Sequence, residues 1–323
     1  MTTLLGIRSA LGRFYGEHEV IANVILKFLM SIAAYIIITY YLGYNEALKS
    51  VLVVIVLALI SSILPVGATI FISAALIVVH LLSLHWEAAA ITAAIFIVIL
   101  FMYFRFAPKH VYHSLLTPVF FGLGVPAIMP VSAGLLRSPS SIVSVACGTV
   151  VFYYLRGISQ NASLIAGTSE TVSSQSIVGI VLKQLYGNVD MYIVVAIFVA
   201  TAAIVYLIRR TSINNSWSIA ITAGVIFNLM TMLVYYVLTE TVGKIIPLAI
   251  GEAITFIVCL ALELFVFNLD YTRVERVQFE DDDYYYYVKA IPKRYVSEKK
   301  MEVKTFNRVD SKDGGDNVDE DTL

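Results

Sequence analysis

The sequence predicts an all-α polytopic membrane protein: about six full spans, two broken or re-entrant hairpin segments, and a short cytoplasmic β-hairpin tail. Composition is the first observation behind this expectation. Of 323 residues 59% are hydrophobic and only 14% charged, and mean hydropathy is +0.83, whereas a soluble domain carries about 25% charged residues. The second is where the charge lies: ten of the 22 Lys/Arg and fourteen of the 23 Asp/Glu fall within 270–323. The third is a pair of membrane-length apolar stretches that proline and glycine interrupt.

The division expected from these patterns is an interfacial amphipathic helix over 1–20, a transmembrane domain over 21–269, a cytoplasmic β-hairpin over 270–295 and a disordered acidic tail over 296–323. Leu4, Ile7, Leu11 and Phe14 recur at helical spacing, which suits a helix lying on the membrane, with a frayed terminus as the alternative. Arg8, Arg13, Glu17 and Glu19 among them do not fit a secretory signal. Cys147 and Cys259 both sit in apolar runs, so neither a disulfide framework nor a cysteine zinc site is indicated.

About 20 apolar residues cross a bilayer core as a helix. The segments 21–43, 87–106, 139–158, 190–208 and 216–238 meet that test, and 245–268 joins them despite Glu252 and Glu263. Residues 51–84 are apolar throughout, too long for one straight span, and are expected to fold back near Pro65 and Gly67. In 117–136, Pro118, Gly122, Gly124, Pro126, Pro130 and Gly134 crowd a single membrane-length segment, a composition no ordinary helix favours.

Charge bias bears on how 117–136 runs, because Lys and Arg collect in short cytoplasmic loops. If the segment enters and returns on one side, Arg8, Arg13, Arg105, Lys109, Arg137, Arg209, Arg210 and the charged tail share the cytoplasm. Lys49, Arg156, Lys183 and Lys244 are then outside, and both termini are inside. A kinked spanning helix is the alternative. A weak internal echo goes with the re-entrant reading: "LPV" at 64–66 precedes a helix ending "FMYFR", and "TPV" at 117–119 precedes one ending "FYYLR". Ile91, Phe101, Tyr103 and Arg105 match Ile142, Phe152, Tyr154 and Arg156 at one offset. This is either the trace of an inverted repeat, which places transporter sites where broken segments meet, or chance likeness between apolar helices.

The residues expected to carry chemistry are few. Glu252 and Glu263 are eleven positions apart, three turns plus about 20°, so they share one helix face about 16 Å apart. An ionisable side chain in a span costs on the order of 3 kcal/mol and often marks an ion or proton path, although either glutamate can equally sit near an interface. Asn228, mid-span, either joins helices by a hydrogen bond or helps hold a polar solute. Pro65, Pro118, Gly122, Gly124, Pro126 and Pro130 complete the candidate substrate or ion site as the backbone breaks around it. His80 reads as a relay or as a satisfied core histidine, and Lys27 as snorkelling. The Ser/Thr-rich stretch 159–176 reads as a gate or a plain loop, followed by "IVGIVLKQLYG" along the outer surface.

No HExxH, Walker A, GxSxG or paired intramembrane aspartates occur, so no enzyme, cofactor, metal or nucleic-acid role is expected. In the tail, "TRVERVQFE" and "YYYYVKAIP" flank "DDD" and read as two strands around a solvated turn. Two strands alone are marginal, so Tyr284, Tyr285, Tyr286 and Tyr287 are expected to pack on a second copy, the membrane or a cytoplasmic partner.

The phrases "VERVQFEDDDYYYYVKAIPK" and "LLTPVFF" with "VPAIMPVSAGLL" resemble uncharacterised multi-spanning membrane proteins of Gram-positive, clostridia-like bacteria, loosely labelled permease. The resemblance implies a bacterial plasma membrane and supplies no substrate. The functional expectation is a membrane transport protein, a secondary carrier or permease subunit in the lipid bilayer. The alternative is a non-transporting scaffold of a cell-envelope complex that recruits a partner through its tail.

Overall fold

The computed structural model describes residues 14–108, 110–166, 177–211, 213 and 215–266, and the backbone of 275–280 and 285–290. The chain divides into two compact units, one reaching to Phe267 and the other Asn268–Leu323. In the first, the apolar runs form helices α1 (Glu19–Leu42), α2 (Val51–Ile63), α3 (Val66–Leu84), α4 (Trp86–Phe106), α5 (Val111–Gly122), α6 (Ile128–Leu136), α7 (Ser141–Gln160), α8 (Ile177–Tyr186), α9 (Val189–Arg209), α10 (Ser216–Leu238) and α11 (Ile245–Val266). In the second, β1 (Glu275–Glu280) pairs antiparallel with β2 (Tyr285–Ala290), Phe279 opposite Tyr286. The tyrosine side chains, most of the expected interfacial helix and the acidic tail lie outside the described residues.

Seven helical runs among the described residues are long and apolar enough to cross a membrane. The expected six rise to seven because the break at Leu64–Pro65 divides 51–84 unequally, leaving α3 with 19 residues and α2 with 13. Lys27 does more than snorkel there: its Nζ donates to the Leu64 carbonyl at 3.3 Å, at the end of α2. The large apolar side chains that remain exposed, among them Leu52, Ile63, Phe101 and Ile246, suit a lipid surround.

The remaining non-spanning pieces are α5 and α6, of 12 and 9 residues, about 18 and 14 Å long. Each is too short to cross alone. The two ends of this segment meet, since His110 Nε2 lies 2.8 Å from Ser138 Oγ and 3.0 Å from Ser140 Oγ. Ser141 Oγ further donates to the Ala133 carbonyl at 3.1 Å, tying the start of α7 to the last turns of α6. Every residue of α6 from Ile128 to Leu135 is buried, whereas in the turn that joins it to α5 Leu123 and Gly124 are exposed and Val125 and Ala127 are buried.

Contacts between helix ends assign each to one of two sides. On side one, Arg209 donates to the Leu135 and Arg137 carbonyls, and Ser218 donates to Glu263. On side two, Asn45 donates through its backbone N–H to His80 and through its amide to Ser83, and Tyr192 donates to the Leu185 carbonyl. The ends of α9 and α4 carry local caps on side two: Asn188 accepts from Met191 N at 3.0 Å and His85 from Glu87 N at 3.2 Å.

Helix α7 is the centre of the unit. Of an 18-residue window in it, 61% is buried, against 22–39% in the other six runs. On one flank it packs with α1, α3, α4 and α8 around Tyr35, Leu81, Leu155 and Ile158. On the other, Phe198 and Val194 of α9 close over Met129 and Met232. The order short helix, helix, span thus recurs in α2–α3–α4 and α5–α6–α7. The proline echo does not follow it, however: Pro65 is at a break while Pro118 lies inside α5.

Candidate functional site

A cleft of about 340 Å³ lies between α7, α9, α10, α11 and the turn joining α5 to α6. Its rim carries Arg156, Gln160, Asn188, Asp190 and Lys244, all at the side-two ends of their helices. Its floor is Gly124, Pro126, Ala127, Asn228 and Glu252. Phe121, Phe152 and Tyr153 wall one flank, with Phe121 stacked on Phe152 at 4.3 Å between centroids.

The floor is built by backbone that cannot be helical. Gly124 has φ +78°, a conformation that glycine adopts without steric cost, and it turns the chain from α5 into α6. Glycine is also needed opposite, because a Cβ on Gly251 would lie 2.9 Å from the Gly124 carbonyl. That close approach of α11 to the turn brings the next residue, Glu252, to the floor. Glu252 is only 3% exposed.

A polar chain holds it. Asn228 Nδ2 donates to Glu252 Oε1 at 2.5 Å, and Thr201 Oγ1 donates to Asn228 Oδ1 at 3.3 Å. Three helices, α9, α10 and α11, are joined by these two bonds. Glu252 Oε2 has no hydrogen-bond partner among the described residues. A buried carboxylate with one satisfied and one open oxygen is costly to keep, and here the open acceptor belongs to a residue lining the cleft.

The sequence-derived candidates therefore separate. Asn228, Glu252, Gly124 and Pro126 line the cleft. Glu263, three turns further along α11, instead accepts from Ser218 Oγ at 2.8 and 3.0 Å on side one. Pro118 is buried in α5, removing the donor that would otherwise satisfy the Ser114 carbonyl. Gly148 of α7 packs against that carbonyl and against Thr117. Gly122 faces Ile37 of α1, Pro130 is buried in α6, and Pro65 is exposed at the α2–α3 break. His80, fully buried, accepts a long 3.4 Å bond from Asn45 N, far from the cleft.

Sequence reasoning did not single out Asp190, Tyr153, Tyr235, Tyr236 or Thr201, and it used Lys244 only to count charges and Arg156 for that and for the internal echo. No local pattern marks them, since they come from α7, α9, α10 and the turn before α11. The Tyr235-Tyr236 pair at the end of α10 is the one sequence signal available, an aromatic pair at a span end. Lys244 Nζ sits 5.7 Å from the Tyr236 ring centroid. No family model, curated protein or solved structure matches the chain.

Proposed function

We propose that the chain is a membrane transport protein, a secondary carrier or permease subunit, and that the cleft is the half of its pathway open on side two. One observation carries this reading: Glu252, 3% exposed and with one oxygen unpartnered among the described residues, lines the floor of a polar cleft beside a broken helix pair. An ionisable group at such depth costs on the order of 3 kcal/mol to keep in a span. Irregular backbone is tolerated at depth where it lines a cavity, and carriers bind solutes at such breaks.

In this reading α5–α6 is a re-entrant hairpin entering from side one, supported by the bonds between His110 and Ser138 and Ser140. Side one is the cytoplasm, because Arg105, Arg137, Arg209 and Arg210 lie at helix ends there. Both termini are then cytoplasmic, and the membrane is the bacterial plasma membrane that the sequence resemblance implies. With no nucleotide-binding motif of its own, the chain uses an ion gradient or a partner ATPase.

Reconstituted protein tested for flux of organic solutes under proton, sodium and potassium gradients checks the proposal. Solute-dependent flux that falls at least tenfold in Glu252→Gln, with Glu263→Gln near wild type, is expected. No flux for any solute class and any gradient would overturn an autonomous carrier.

The scaffold reading keeps one supporting observation, the separate compact unit Asn268–Leu323. It requires that deleting 270–323 abolish complex formation in a pull-down while Glu252→Gln and Asn228→Ala leave function intact.

A further inference from the structure

The cleft is charged at both ends, with opposite signs. Among the described residues that line its floor the one ionisable side chain is Glu252, whose Oε1 is taken by Asn228 while the buried Oε2 lacks a partner. Such an acceptor calls for a donor, and an ammonium group supplies both the hydrogen and the countercharge. At the rim, Arg156 and Lys244 are exposed and make no ion pair among the described residues. Asp190 shares the rim but faces the Tyr235 hydroxyl. Between floor and rim stand the rings of Phe121, Phe152 and Tyr153, with Phe121 stacked on Phe152 and Phe198, an apolar flank suited to an apolar stem.

Spacing sets the length of a matching solute. Lys244 and Glu252 are eight residues apart along α11 and the turn before it, and Tyr236, under the Lys244 ammonium, is eight residues from Asn228 along α10. At 1.5 Å per residue each separation is about 12 Å. Extended chain covers about 3.3–3.6 Å per residue, so roughly three residues reach from floor to rim. A single α-amino acid, its two charges on one carbon, does not.

We infer that the cleft takes a linear zwitterion of about tripeptide length, its ammonium end against Glu252 and Asn228 and its anionic end between Arg156 and Lys244. This rests on reading the cleft as a solute site, and it narrows the solute to one class.

Calorimetric titration of the purified full-length protein with trialanine, N-acetyl-trialanine, trialanine amide, alanine and 8-aminooctanoate tests it. Trialanine is expected to bind, with either cap or shortening to alanine weakening binding at least tenfold. Arg156→Gln with Lys244→Gln should erase the penalty for the amide and keep that for the N-acetyl form. Glu252→Gln should do the reverse, and if it fails to fold the rim variant decides alone. Equal affinity for 8-aminooctanoate supports recognition by charge and spacing, and preference for trialanine supports added recognition of the peptide backbone. Capped forms that bind as well as trialanine, or no binding by either zwitterion, would overturn the inference. Flux of some other solute in that case would leave the transport reading standing, whereas end-specific binding without flux under any gradient would remove transport and keep the ligand class.

Discussion

Asn228 decides what Glu252 can do. Its amide spends one hydrogen on Oε1 and its carbonyl accepts from Thr201, so the carboxylate is fixed in place with the second oxygen left open. Asn228→Ala would strand a buried carboxylate oxygen, and we expect a loss of about 1–3 kcal/mol, read from unfolding in detergent. Thr201→Val should cost less, because its bond to Asn228 is long at 3.3 Å and Thr201 also bonds the Ile197 carbonyl at 2.8 Å. Glu252 and Glu263 were indistinguishable in the sequence, for both fall on the face of α11 that meets α10. Their difference lies in what α10 offers, an amide beside a cleft at one level and a serine hydroxyl at a helix end at the other.

At the scale of elements, the α5–α6 hairpin depends on one left-handed residue, one close approach and one capping cation. Gly124 takes a left-handed conformation, so Gly124→Ala should cost about 1–2 kcal/mol, measured as a lower unfolding midpoint. A Cβ on Gly134 would meet the Ala202 carbonyl and Val205 of α9 at no more than 3.0 Å, and Gly134→Ala should cost about 1–3 kcal/mol by overpacking. Arg209 caps the end of α6 by donating to the Leu135 and Arg137 carbonyls while lying over Tyr206 and Trp217. Arg209→Ala removes a cation from a helix C-terminus together with those bonds, and should loosen α6, read as faster hydrogen exchange at Leu135 and Arg137. That 117–136 breaks was legible from its prolines and glycines. Where it breaks was not, because Pro118 is accommodated inside α5 and Pro130 sits in the first turn of α6, whose N–H groups lack intrahelical acceptors in any case. The turn falls between them, at Leu123–Ala127.

At the scale of the molecule, sidedness is the property to test. Cys147 and Cys259 are both buried, so background labelling should be low. Cysteines at Arg105 and Ser138 are expected to react with an impermeant maleimide from one side of sealed vesicles, and those at Gln160 and Asn188 from the other. Opposite reactivity of the Arg105 and Ser138 positions would sink the re-entrant hairpin. The sequence by itself determined the apolar runs and placed six of the seven span-length helices within a few residues, together with the polar tail beyond them, while the seventh, α3, was read there as part of a broken hairpin. A stretch of twenty apolar residues has few alternatives to a membrane helix. Only the tertiary structure decided which polar side chains meet. Helices that are apolar all round carry little periodicity to say which face turns inward, and the cleft draws its floor and rim from α7, α9, α10, α11 and a turn more than a hundred residues from Glu252.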